Sequence, residues 1–413
     1  MPSSPDQGYE SYLRDVPLQV PVKDNGRERR EKRIELGLPL AYRNTFFCTF
    51  PGTTTRWRRQ GLVLSRQTAL LVLLLLLVLC PTWSLAQTAD PEKPVPILSG
   101  SIGTFSFIRG GQNLIDSQIN PVLLVPLGDR WLIESRAAFE GQFQRPPEGG
   151  PYAGPVTKHI DYAQLDYIAS PYVTLTAGRF LTPFGIFNER LYPVWIRELQ
   201  PDPLILPINT APSDGGMLRG GFPVNAGANL NYAVYVSATS IGIGSVDSER
   251  HVGGRMGFFF PGPRLEVGGS WQKTLQDAHK NAFGFHMGWQ PAKVPLNLRS
   301  EFAHSVEGSG YWIEGAYRLS QTQFWRKAMR HTDLVARAQQ FYRGEISADE
   351  AASRGLQAVN TREADFGVNY FLRDGLKGIA SYGRLFSSAG NFNQWSFGLA
   401  YRFLIPLGRV GER

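Results

Sequence analysis

Polar residues, some of them charged, recur at every second position between apolar ones in several stretches of this 413-residue chain. Arg136, Arg255, Arg299, Arg318, Arg337 and Arg402 form a basic set. Glu134, Glu140, Asp166, Glu266, Glu301, Glu314, Glu363 and Asp365 form an acidic one. A guanidinium offers fixed donors to phosphate-like oxygens, so an arginine row along a water-filled passage would draw anions inward. Carboxylates there would favour cations. Several charges stand as opposite-sign neighbours two apart, Glu134/Arg136 and Arg299/Glu301 among them. Acids are at least as numerous as bases, which favours pairing that keeps a polar lining satisfied over an open arginine ladder.

A second group lies in one long segment, residues 181–214: Asn188, Glu189, Arg190, Arg197 and Glu198. A segment this long without strong secondary structure is usually functional or disordered. Its Leu191, Tyr192 and Trp195 argue for packing against something. The expectation is an inward fold that narrows the passage, the alternative being a surface loop that stabilises a neighbouring subunit. A short helical turn is expected over Val194–Leu199, before Pro201.

Covalent chemistry finds little support. None of the six histidines (His159, His251, His279, His286, His304 and His331) sits in a nucleophile motif. No spacing of His, Cys or carboxylates suits a metal, and no glycine-rich segment has the pattern of a phosphate-cradling P-loop. No enzyme, metal or cofactor is expected.

The elements that would position these charges are strands. Ile133, Ala137, Phe139 and Phe143 oppose Glu134, Arg136, Glu140 and Gln142. Phe283, Phe285, Met287 and Trp289 oppose Gly284, His286 and Gly288. Trp395, Phe397, Leu399, Tyr401 and Phe403 oppose Ser396, Gly398, Ala400 and Arg402. Period-two alternation means a strand with two unlike faces. An aromatic face opposite a small, polar one inverts a soluble protein and matches a membrane barrel.

The connections alternate too. Tight turns fall at Gly128-Asp129, Ser170-Pro171, Asn225-Ala226-Gly227, Pro261-Gly262-Pro263, Gln290-Pro291-Ala292 and Asp374-Gly375. Most of the others are longer: Arg109–Asp116, Arg145–Thr157, Leu181–Asp214, Ser240–Glu249 and Gly344–Asn360. The exceptions are a short outer connection at Gly308 and a longer inner one at Gln321–His331. The reading is an all-β transmembrane antiparallel barrel of about sixteen strands over 97–413, with short periplasmic turns and long outer loops. Sixteen strands leave an aqueous channel where eight leave only a side-chain core. The small inward set Gly284, Gly288, Ser396, Gly398 and Ala400 points to an open pore for small hydrophilic solutes. Large inward aromatics would instead favour a plugged barrel, or an adhesive one binding a partner through its outer loops.

Composition agrees with a barrel. Glycine (44 residues) and aromatics (12%) are plentiful and charged residues are only 19%, unlike a disordered chain or a typical soluble helical enzyme. The net charge of +8 is unevenly spread: residues 1–86 hold 12 Lys/Arg and 7 Asp/Glu, leaving 31 against 28. Scattered basic residues argue against a nucleic-acid partner. Arg56, Arg58, Arg59 and Arg66 precede an apolar block, Ala69 to Cys80, and then Ser84-Leu85-Ala86. That order is a secretory signal peptide over 56–86, cut before Gln87. The block is shorter than the ~20 residues a spanning helix needs. Residues 1–55 are read as an untranslated or disordered extension and 87–96 as a short leading segment. Both cysteines, Cys48 and Cys80, precede the cut, so no disulfide is needed.

The stretch Ala163-Gln164-Leu165-Asp166-Tyr167 through Ala177-Gly178-Arg179-Phe180-Leu181-Thr182-Pro183-Phe184-Gly185 resembles the phosphate-selective porin O and P family. So do Asn188-Glu189-Arg190-Leu191, Gly215-Gly216-Met217-Leu218-Arg219-Gly220 and the ending Phe397-Gly398-Leu399-Ala400-Tyr401-Arg402-Phe403. The resemblance implies a sixteen-stranded, usually trimeric barrel in the bacterial outer membrane that passes anions such as phosphate on loop lysines and lumen arginines. Here the third loop has Arg190 and Arg197 but no lysine, and Glu189, Glu198 and Asp202 offset them.

Overall fold

A computed structural model describes residues 95–146, 149–208, 212–239, 248–276 and 279–407. The extension, the signal segment and most of the leading segment therefore lie outside the described residues. Sixteen strands follow one another: β1 (Ile97–Arg109), β2 (Gln112–Leu127), β3 (Trp131–Gln144), β4 (Val156–Ser170), β5 (Val173–Phe180), β6 (Ser213–Asn225), β7 (Ala228–Ala238) and β8 (His251–Phe260) come first. Then come β9 (Leu265–Thr274), β10 (Asn281–Trp289), β11 (Leu296–Ser305), β12 (Gly308–Arg318), β13 (Thr332–Arg343), β14 (Thr361–Arg373), β15 (Leu376–Ser387) and β16 (Gly390–Pro406). Each pairs antiparallel with its sequence neighbours, and β1 pairs with β16 from Ile97↔Pro406 to Arg109↔Gln394, closing the barrel. Closure leaves no open edge, the condition for a sheet to cross hydrocarbon.

The faces confirm which side meets lipid. Ile119, Phe139, Val234, Phe285, Phe366 and Leu399 stand exposed on the outside, while Gln118, Glu140, Ser270, Glu301, Asp365 and Ser396 are buried inside. The protein is a transmembrane β-barrel. Aromatic rings mark the two edges of the apolar band, as Trp131 against Tyr167 at one end (centroids 4.6 Å) and Tyr382 against Trp395 toward the other (4.7 Å).

One end carries the turns predicted from Gly128 to Asp374, together with the longer connection at 319–331. The other carries the loops, with one correction. The expected long connection Arg109–Asp116 is a two-residue turn, because Asn113, Leu114 and Ile115 continue the ladder opposite Ile108, Phe107 and Ser106. Gly110 and Gly111 have φ of 58° and 82°, the paired positive values a tight hairpin needs. The connections 306–307 and 388–389 are equally short.

Alternation also slips once inside an element. The β3–β4 register shifts between Arg136 and Ala137, leaving Asp161 as an extra residue on β4. Inward positions are odd-numbered up to Asp161 and even-numbered from Gln164 onward. Such a bulge re-aims a side chain, and here it delivers Asp161 to Arg136.

Candidate pore constriction

Residues 181–208 leave β5 at the loop end and fold into the barrel. Phe184, Ile186, Phe187, Val194, Leu199, Leu204, Ile205 and Ile208 are all buried. The two ends of the loop are tied by hydroxyls and an imidazole. Thr182 Oγ1 lies 2.7 Å from Ser213 Oγ, which lies 2.8 Å from His251 Nε2 on β8. Ser213 is fully buried, so this Ser–His contact has no access for a substrate and serves as an anchor.

Beyond the anchor, polar groups of the wall hold the loop backbone. Glu301 Oε2 accepts the N–H groups of Ile186 and Phe187, both at 3.1 Å, and Ser270 Oγ accepts that of Gly185 at 3.0 Å. Gly185 has φ +66°, and a Cβ there would run into the Glu301 carboxylate, so only glycine lets the loop come this close. Farther along, Leu204 N donates to Gln339 (2.9 Å), Arg337 to Pro201 O (2.8 Å) and Asn369 to Glu198 O (2.9 Å). Lys377 Nζ donates to Arg197 O at 2.5 Å. The loop thus hydrogen-bonds to wall strands from β8 round to β15, and Val194 continues the contact onto Ala400 of β16 and Phe105 of β1.

The charged residues predicted for the loop divide by role. Asn188 bonds the loop's own Thr182 O (3.0 Å) and is structural. Glu189 pairs with Arg255, and Arg190 pairs with both oxygens of Glu266 (2.8 and 2.7 Å). Arg197 is buried within the loop on Tyr192 O (2.6 Å) and Asp202 (2.7 Å). Glu198 meets Asn369 (2.9 Å), with Arg299 3.9 Å away.

On the wall, Arg136 pairs with Asp161 (2.9 Å), Arg299 with Glu314 (2.5 Å) and Arg337 with Asp365 (3.1 Å). Near the turn end, Arg318 pairs with Asp333 (2.7 Å) and Arg402 approaches Asp374 (3.7 Å). Glu134 accepts from Gln164 at 3.2 Å. Every arginine predicted for the lumen or the loop faces a carboxylate. The predicted opposite-sign neighbours do not serve each other, however. Glu134 and Arg136, like Arg299 and Glu301, take separate partners on other strands or on the loop. Residues two apart on a strand lie farther apart than residues paired directly across it.

Small inward residues also serve differently from expectation. Gly284 lies beneath the Phe184 ring, whose nearest atom would be 3.0 Å from an added Cβ, and Gly398 lies beneath Phe105. They make room for aromatic packing. Gly288 alone of the predicted small glycines has nothing within 4 Å. Large aromatics do point inward: Trp312 and Phe341 join Phe184, Phe187, Leu204, Ile205 and Ile208 in a cluster that Ile346, Ala351 and Leu356 of the 344–360 connection complete. The expected helical turn over Val194–Leu199 is shorter, closing only Pro193 O with the N–H groups of Ile196 and Arg197. The helical segment lies earlier, at Phe187–Leu191.

The opposite side of the interior is polar. Asp116, Gln118 and Asn120 of β2, Arg136, Glu140 and Gln142 of β3, Asp161, Gln164 and Asp166 of β4 and Thr176 of β5 turn inward. Across from them lie Tyr192, Gln200 and Asp202 of the loop, with the Arg136 guanidinium 5.2 Å from the Tyr192 ring centre. Ser101 Oγ, Asp116 Oδ1, both side-chain polar atoms of Asn120 and Gln200 Nε2 have no hydrogen-bond partner in the protein, and on the fastened side the same holds for Arg255 Nε, Trp312 Nε1 and Asn369 Oδ1. Buried groups of this kind are ordinarily satisfied by water. At the turn end a cavity of about 450 Å³, lined by Glu198, Lys293, Asn297, Arg318 and Asp333, opens beneath the loop.

Of these residues, alternation reached Glu301, Glu314 and Asp365 but missed Asp161 and Lys377. Asp161 sits at the bulge. Lys377 shares its face with Ile379, an apolar residue that looks lipid-facing in sequence but packs inward on Phe105 and Val194. Among the described residues, no group of three or more His, Cys, Asp or Glu could hold a metal ion.

No family profile matches the chain, and no curated protein matches it in sequence. Solved structures resemble it at low identity. The anion-selective porin from Comamonas acidovorans is 10% identical at a TM-score of 0.47, covering 74% of this chain and 99% of that one. Salmonella typhi OmpF, in complex with daunomycin, is 12% identical at 0.48, covering 75% and 97%. Pseudomonas aeruginosa OccK5 is 8% identical at 0.43, covering 75% and 98%.

Proposed function

We propose that the protein is a porin of the bacterial outer membrane, a water-filled channel for small hydrophilic solutes narrowed by residues 181–208. The carrying observation is the asymmetry of the interior. The loop packs its apolar side chains against β10–β13, yet along β2–β5 it faces a wall of polar residues, Asp116, Gln118, Asn120, Glu140 and Gln142 among them. Solute passes on that polar side. The loop end faces outward and the turn end faces the periplasm, the usual disposition of short turns and long loops.

Phosphate or another anion is the narrower version of this reading. The carboxylate beside each predicted arginine weighs against a free arginine ladder and toward weak charge selectivity. A homotrimer is proposed on the family resemblance, and sedimentation of the detergent-solubilised protein tests it. Processing at Gln87 after a signal over 56–86 is proposed as well. A mature peptide from residues 1–55 in N-terminal sequencing would overturn it.

The main test is conductance. Protein purified from membranes and inserted in a planar bilayer is expected to give stepwise openings. A second reading, a plugged barrel that binds a partner through its outer loops, is favoured by the inward Trp312 and Phe341. A correctly folded barrel without current would select it.

A further inference from the structure

The outer face of β13–β16 is free of carboxylates, yet carries two arginines near the loop end. Outward positions on β14 read Arg362, Ala364, Phe366, Val368 and Tyr370; on β15 they read Ala380, Tyr382, Arg384 and Phe386. The acids of β14, Glu363 and Asp365, point to the interior. Strand register sets Gln340, Arg362, Phe386 and Asn391 side by side across the four strands. Arg384 lies diagonal to Arg362, since Arg362 pairs with Phe386 and Ala364 with Arg384.

This row borders a cavity of about 630 Å³ whose walls include Gln340, Tyr342, Arg343, Asn360, Arg362 and Asn391. The Arg384 guanidinium donates to Asn393 Oδ1 at 2.9 Å and meets no carboxylate. Height on the barrel is fixed by the aromatic pair Tyr382–Trp395, because Arg384 stands opposite Asn393, two residue pairs nearer the loops. Rings of this kind settle at the boundary between hydrocarbon and headgroups. The arginines therefore stand at headgroup level on a lipid-facing wall, where an unpaired charge is tolerated at the boundary but not below it.

We propose that this groove binds the phosphate of a phosphorylated glycolipid of the outer leaflet. Arg362 in the groove wall and Arg384, on the neighbouring strand just outside it, hold the phosphate, the amides of Gln340, Asn360 and Asn391 meet sugar hydroxyls, and Phe386 in the wall with Phe366 below it lines the path of an acyl chain. Guanidinium groups suit this partner because their paired donors match phosphate oxygens. The proposal rests on the membrane orientation given above.

The test uses protein purified from membranes, with the Arg362→Gln/Arg384→Gln double variant and Arg362→Lys. Binding is measured in neutral detergent to lipopolysaccharide bearing its lipid phosphates, to the enzymatically dephosphorylated form, and to inorganic phosphate alone. The double variant is expected to bind phosphorylated lipid about tenfold more weakly, and Arg362→Lys to lie between, since a lysine keeps the charge without the fork. Dephosphorylated lipid should bind both proteins equally weakly, and inorganic phosphate should not match the intact lipid. Equal binding by wild type and double variant, or no dependence on the lipid phosphates, overturns the proposal. Inorganic phosphate binding as tightly as the lipid also overturns it, making the groove a free-anion site. Single-channel conductance of the double variant should equal that of wild type. A barrel that conducts but fails the lipid test would defeat this inference alone.

Discussion

Along β10–β13 the interior wall offers Ala282, Ala303, Trp312 and Phe341 to the third loop, whereas along β2–β5 it offers Asp116, Asn120, Asp161 and Thr176. The first side excludes water and fixes the loop by close packing, reinforced by the Glu301 carboxylate on two backbone N–H groups. The second side meets the loop with polar groups, Arg136 lying 5.2 Å from the Tyr192 ring centre, and among the described residues lacks a comparable apolar cluster. In the proposed channel one face of the loop anchors it and the other lines the passage, a division that would let a barrel hold a large aromatic cluster inside and still conduct.

If the division is right, substitutions on the two sides must fail differently. The largest effect is expected at Trp312, which is almost fully buried and stacks edge-on with Phe187 at 6.1 Å. Trp312→Ala should cost about 3–5 kcal/mol of unfolding free energy, the range for deleting a buried aromatic. Urea titration of the detergent-folded barrel measures it. A loss under about 1 kcal/mol would mean the cluster does not anchor the loop.

Asn120→Trp reverses the pattern. It adds bulk to the polar side, so single-channel conductance should fall several-fold, at an overpacking cost of about 1–3 kcal/mol, below that of Trp312→Ala. Unchanged conductance would move the passage to another part of the lumen.

Glu301 tests how the halves are joined. Glu301→Ala leaves the N–H groups of Ile186 and Phe187 without their acceptor, which should cost on the order of 1–3 kcal/mol. The freed loop root should broaden the distribution of conductance levels. Glu301→Gln retains an acceptor oxygen and should fall between the two.

The anchored side was the less legible in sequence. Alternation revealed strand count, faces and most turns, because one lipid-facing and one inward face impose a period of two. It could not distinguish an inward glycine that borders water from one that lies under an aromatic ring: Gly284 and Gly288 look alike in sequence, but only Gly284 supports Phe184. Nor could it find Asp161, since a bulge inverts the phase after it, or Lys377, whose neighbour Ile379 reads as lipid-facing. The composition of 181–214 announced an inward loop. Its partners come from strands scattered over more than a hundred residues, and no local spacing encodes them.

The smallest effect concerns charge, and it separates paired arginines from a selectivity ladder. Arg136 and Asp161 form an ion pair on the polar side, joined by His159 at 3.0 Å from Asp161. If solute passes beside them, removing either partner leaves one uncompensated charge at the passage. Asp161→Asn should then shift the reversal potential in a salt gradient toward anion preference, and Arg136→Gln toward cation preference. Each shift should be a few millivolts and shrink only modestly as salt rises, because buried charges are screened less than exposed ones. The double variant should return near wild type, since the two changes cancel. The pair Arg299 and Glu314 faces the fastened side of the loop, so the same exchange there should leave the reversal potential unmoved. Equal shifts at both pairs would mean that ions pass on both sides of the loop, and the distinction between an anchoring half and a conducting half would fail.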